Sequence, residues 1–95
     1  MKEDQIFFEI KKRLGEILPK SHCGFLFGSF AKGTAMRGSD VDIAIEGPSP
    51  LPFEIYLRLK QALEDIPTLR KIDLVDLQNV SSRFREEVLT YATSL

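Results

Sequence analysis

Hydrophobic positions fall at helical spacing in some stretches of the chain and alternate or run together in others. Ile6, Phe7, Ile10, Leu14, Ile17 and Leu18 make one apolar stripe. The stripe predicts a helix capped by Asp4 that runs to about Leu18 and stops before Pro19. Cys23-Gly24-Phe25-Leu26-Phe27 is a short apolar run ending at Gly28 and reads as a buried strand. Ser29 to about Gly33 suits one or two helical turns, and Thr34 to Ser39 is a polar loop containing glycine. Val41, Ile43 and Ile45 then alternate with Asp40, Asp42, Ala44 and Glu46, which is a strand with two unlike faces.

The proline-rich segment Gly47 to Pro52 breaks the pattern as a loop rather than a domain linker. Phe53 to about Ile66 reads as a helix with Phe53, Tyr56, Leu57, Leu59 and Leu63 among its apolar positions, ended by Pro67. Lys71 to Leu77 is a third strand. Ser81 or Ser82 then caps a last helix whose stripe is Phe84, Val88, Leu89 and Ala92. The order α-β-α-β-α-β-α predicts an α/β fold: a small mixed three-stranded sheet flanked by helices, in one domain over residues 1–95.

Composition narrows this further. An apolar fraction of 43% in 95 residues is enough for one core. The lone Cys23 makes no internal disulfide, sits among apolar neighbours and is expected in the core. This usage, with no signal-like N-terminus and no run long enough to span a bilayer, points to a cytoplasmic protein away from membranes. A net charge of −1 argues against stable binding of duplex DNA and for a small anionic ligand whose charge is met locally. His22 reads as a surface histidine, and the charges of Ser81-Ser82-Arg83-Phe84-Arg85-Glu86-Glu87 read as solvated.

The chemistry is concentrated in two motifs. Asp40 and Asp42 leave one side of their strand with Cα atoms about 7 Å apart, while Val41 and Ile43 point to the core and pin the register. Two carboxylates that close repel unless something positive lies between them. Hard oxygens without a nearby His or Cys suit magnesium or manganese. Upstream, Gly28 ends a strand and lets backbone approach a ligand, and Ser29 opens the following turn. Its hydroxyl and the turn's amides would cradle phosphate. Taken singly, each motif is also met as a strand start or a helix cap. Thr34 stands where a Walker A loop has lysine, so that loop is excluded. Lys32 and Arg37 lie between the motifs, either as phosphate contacts or as solvated charges.

Gly28-Ser29, ten residues, then Asp40-x-Asp42 resembles the signature of the polymerase-beta-like nucleotidyltransferase superfamily. Phe27 to Ile45, FGSFAKGTAMRGSDVDIAI, resembles its minimal nucleotidyltransferases, and Lys71-Ile72-Asp73-Leu74-Val75-Asp76-Leu77 resembles their last core strand. The resemblance implies that Asp40, Asp42 and Asp73 hold Mg2+ (or Mn2+), that Asp73 helps activate the attacking hydroxyl, and that Gly28, Ser29, Lys32 and Ser39 bind the nucleotide. Asp73 rather than Asp76 is expected on the acidic face, because Asp76 shares its side with Ile72 and Leu74. Many relatives carry arginine directly after Gly-Ser, where this chain has Phe30.

With little sequence beyond the last helix, the acceptor is expected from a partner. The resemblance implies a separate helical protein of the HEPN type, with AMP from ATP as the transferred group and antitoxin as the role. A homodimer or a mixed complex would fit. The alternative is a binding module that masks a helical partner without catalysis.

Overall fold

Val41, Ile43 and Ile45 project from one side of the central strand and are fully buried, each 0–1% exposed. They form the floor of the main core, at about 1.5–3 kcal/mol of hydrophobic stabilisation per side chain. In the computed structural model, which describes residues 1–95, the chain runs through α1 (Glu3–Ile17), β1 (Cys23–Phe27), α2 (Gly28–Lys32), β2 (Val41–Glu46), α3 (Phe53–Glu64) and β3 (Ile72–Asp76). A single 3-10 turn (Leu77–Asn79), α4 (Ser82–Tyr91) and a two-residue β4 (Thr93–Ser94) complete it.

The sheet order is β3-β2-β1-β4. β1 is antiparallel to β2 and to β4, while β2 and β3 are parallel. The sheet is mixed as expected but has four strands, not three. β4 has only two residues and no alternating pattern of its own. It exists because the chain after α4 returns to the outer edge of β1, pairing Phe25 with Ser94 and Leu26 with Thr93.

α1 and α3 cover one side of the sheet, where Ile6, Ile10 and Leu14 meet Ile43, Ile45, Leu59 and Leu63. The other side holds a smaller cluster of Phe27, Ala44, Leu77 and Val88 under α4. Several local expectations are corrected. Asp4 lies inside the first turn of α1; Lys2 is the cap, and its N–H donates to Gln5 Oε1 at 3.0 Å. α3 ends at Glu64, and its Phe53 and Leu57 face outward. Ser81 caps α4 by accepting from the Phe84 N–H at 3.2 Å; Val88 and Ala92 pack inward as expected, joined by Tyr91, while Leu89 and Phe84 are exposed. Cys23, at the first position of β1, is exposed rather than in the core. No helix is long and apolar enough to cross a membrane.

Candidate active site

Side chains alternate along β2, so Asp42, Ala44 and Glu46 share the side opposite the main core. In the parallel pairing of β2 with β3, Asp42 stands beside Asp73 and Ala44 beside Val75. Asp76 pairs with Ile45 on the other side, buried at 4% exposure, where it accepts from the Leu51 N–H at 2.8 Å and the Gln78 N–H at 2.9 Å. Asp73 is therefore the β3 acid that joins Asp42, and Asp76 ties the α3 approach to the turn after β3.

Burial pushes the Asp42 carboxyl above its ordinary value, and the charges of Asp73 and Asp40 push it the same way; Lys71 opposes them. Lys71 Nζ lies 3.4 Å from Asp73 Oδ1. Asp40 stands exposed, just before β2. The three carboxylates do not close into a ready-made group of metal-ligating side chains in this conformation. Their chemistry nevertheless fits a divalent cation: all are hard oxygen donors, and the central one is held in mutual repulsion with both others.

Gly28 adopts φ +72°, and a Cβ there would stand 2.0 Å from Asp42 Oδ2. Only glycine lets the end of β1 lie against that carboxylate. Its N–H donates to the Tyr91 hydroxyl at 3.1 Å, so the Gly28 amide has a partner in α4. Lys32 Nζ lies 4.7 Å from the centre of the same Tyr91 ring. Ser39 Oγ accepts from the Met36 N–H at 2.8 Å, which folds the loop before Asp40. Ser29 is half-buried beside Gly28, and Arg37 is exposed. Gly28 and Asp42 are thus in contact, while Lys32 and Ser39 already have partners within the protein.

Sequence reasoning missed the cluster at the far end of β2. Glu46 Oε1 accepts from Gln78 Nε2 and from the Gly47 N–H, both at 3.0 Å, and its other oxygen pairs with Arg85 Nη2 at 2.5 Å. Burial pushes Glu46 up, but the hydrogen bonds from Arg85 and Gln78 and from the Gly47 amide outweigh it, so its carboxyl lies below the ordinary value. Arg85 is therefore not a solvated charge. The available signal was Glu46 sharing the strand parity of Asp42.

A family model described as polymerase beta, nucleotidyltransferase, matches residues 9–95. The chain belongs to this nucleotidyltransferase family. A protein adenylyltransferase of Shewanella oneidensis, MntA, is 34% identical over 91 residues, covering 92% of this chain and 62% of that protein. The chain thus spans less than two thirds of that relative. Among solved structures, a toxin-antitoxin complex with AMP-PNP contains a chain 33% identical, with TM-score 0.67, covering 92% of this chain and 69% of that one. A tri-AMPylated HEPN toxin of Shewanella oneidensis in complex with an MNT antitoxin gives 27% identity and TM-score 0.64 over 98% of this chain and 71% of that one.

Proposed function

We propose that this nucleotidyltransferase-family chain transfers a nucleoside monophosphate, AMP from ATP, to a hydroxyl on a helical partner of the HEPN type, and so acts as an antitoxin. The observation that carries the reading is the pairing of Asp42 with Asp73 on one side of the sheet, with Gly28 packed directly on Asp42. The names of the similar proteins, an adenylyltransferase and an antitoxin bound to an AMPylated toxin, support the choice of group and partner.

In this reading Asp40, Asp42 and Asp73 hold magnesium or manganese. Bound divalent metal would neutralise the triphosphate and the charge that develops on the attacking and leaving oxygens. Asp42 provides the central donor, carried on β2 beside Asp73 with Gly28 against its carboxylate. Gly28 and Ser29 form the corner against which the phosphates lie, with Lys32 and Ser39 nearby. The acceptor hydroxyl attacks the α-phosphorus and passes its proton to Asp73. The bond from that phosphorus to the bridging oxygen breaks, and pyrophosphate leaves. A cleft of about 420 Å³ runs along the outer edge of β3 with Asp73, Lys71 and Tyr56 in its walls, which gives the acceptor an approach from that side.

The test is incubation with α-phosphate-labelled ATP, magnesium and the helical partner. Label on the partner that disappears with Asp42→Ala is the expected result. Tight partner binding without label, unaffected by that change, would instead establish the non-catalytic binding module.

A further inference from the structure

Arg70 lies outside the acidic face and enters none of the steps above. The Thr68 hydroxyl accepts from the Arg70 N–H at 3.1 Å, and the Thr68 N–H donates to the Ile66 carbonyl at 2.8 Å. This tight turn between α3 and β3 aims residue 70 back across the sheet end. The side chain is only 21% exposed. Its Nη1 donates to the Ser39 carbonyl at 2.9 Å, and its Nη2 donates to Glu3 Oε1 at 3.2 Å. Its guanidinium carbon lies 5.0 Å from the centre of the Phe30 ring, which Phe7 in turn holds edge-on at 5.7 Å. One planar group thus joins four segments: the first turn of α1, the residue after Ser29, the residue before Asp40, and the lead into the strand that carries Asp73.

Asp40 is the acid most in need of such support, since it is exposed and precedes β2. Its two chain neighbours are tethered by consecutive residues. The Val41 N–H donates to the Lys71 carbonyl at 2.9 Å, and the Ser39 carbonyl accepts from Arg70. The first tether is backbone to backbone and does not depend on the side chain at position 70. The second depends wholly on a guanidinium that donates in two directions while lying on a ring, which a lysine ammonium cannot reproduce.

We propose that Arg70 is a positioning residue that sets where Asp40 stands relative to Asp42 and Asp73, and thereby how tightly the three acids take a divalent cation. The proposal rests on the reading of those acids as a cation seat. It is tested by titrating Mn2+ calorimetrically, with a non-hydrolysable ATP analogue present, into the wild type, Arg70→Lys, Arg70→Gln and Glu3→Gln, and recording the Tm of each without metal. Both Arg70 variants should bind Mn2+ about 10-fold more weakly, the scale expected for groups that orient metal ligands. Glu3→Gln removes only an outer, half-exposed ion pair and should stay within about twofold. Wild-type Mn2+ affinity in both Arg70 variants would overturn the role of Arg70 alone. So would an equal loss in Glu3→Gln accompanied by the same fall in Tm, since Arg70 would then be only structural. Failure of the wild type to bind Mn2+ would overturn the cation seat itself, and this proposal with it.

Discussion

Asp42 and Glu46 leave the same side of the same strand with only Ala44 between them, yet their surroundings are opposite. Around Glu46 the protein supplies a guanidinium, a side-chain amide and a backbone N–H, and the carboxyl is held below its ordinary value. Around Asp42 burial and two further acids push the carboxyl up, and only Lys71 opposes them. Leaving a partly buried carboxylate among like charges costs stability. Under the proposed function, the position left in repulsion is the one that a positive group from outside would fill.

The contrast breaks most sharply if Asp42 is replaced. Asp42→Ala should lower transfer to the partner by more than about 100-fold, measured with labelled ATP, since even outer-shell support of a metal is worth 10–100-fold. Its Tm should be no lower than that of the wild type, because repulsion from Asp73 and Asp40 is relieved. A marked fall in Tm would mean that Asp42 is a structural acid like Glu46. Gly28→Ala should affect both properties. The side chain would meet Asp42 Oδ2, and the backbone at φ +72° would cost about 1–2 kcal/mol, readable by urea unfolding.

Glu46→Gln and Arg85→Ala should behave in the reverse sense to Asp42→Ala. Each leaves a partner without its counter-charge and should cost about 1–3 kcal/mol in chemical denaturation. The activity of the folded fraction should be retained; a loss as large as that of Asp42→Ala would place Glu46 within the chemistry. The smallest effect is in the dependence on pH. Glu46, lowered from 4.5, contributes stability at neutral pH that is lost as pH falls through its folded value. Asp42, raised from 3.8, does the opposite: its burden is relieved as pH falls through its raised value. Between pH 7 and about pH 3, urea midpoints should fall less steeply in Glu46→Gln than in wild type, and more steeply in Asp42→Asn.

Much of this was legible in the residues because period-two alternation is strict. Val41, Ile43 and Ile45 mark one side of β2 and so assign Asp42 to the other, and the same parity places Asp73 with Asp42 and Asp76 among the apolar residues. What stayed hidden depends on contacts between distant parts of the chain. β4 has two residues and no pattern, and it is defined by the free edge of β1. Arg85 lies in a run of charges that looks solvated until α4 is laid across β2. The Gly28 N–H bond to Tyr91 joins the end of β1 to α4, and the contact of Gly28 with Asp42 crosses to the neighbouring strand, so neither shows in the local pattern. Phe30, next to the Gly-Ser corner, is the platform for the Arg70 guanidinium, a contact across 40 residues.

The alternation along β2 has one more consequence. Shifting the strand by a single place against its neighbours would carry Asp42 beneath α1 and turn Ile43 to the acidic side under α4. Misassembled molecules would then be both unstable and chemically silent. Pairing β2 with β3 in register is thus the same event that sets Asp42 beside Asp73.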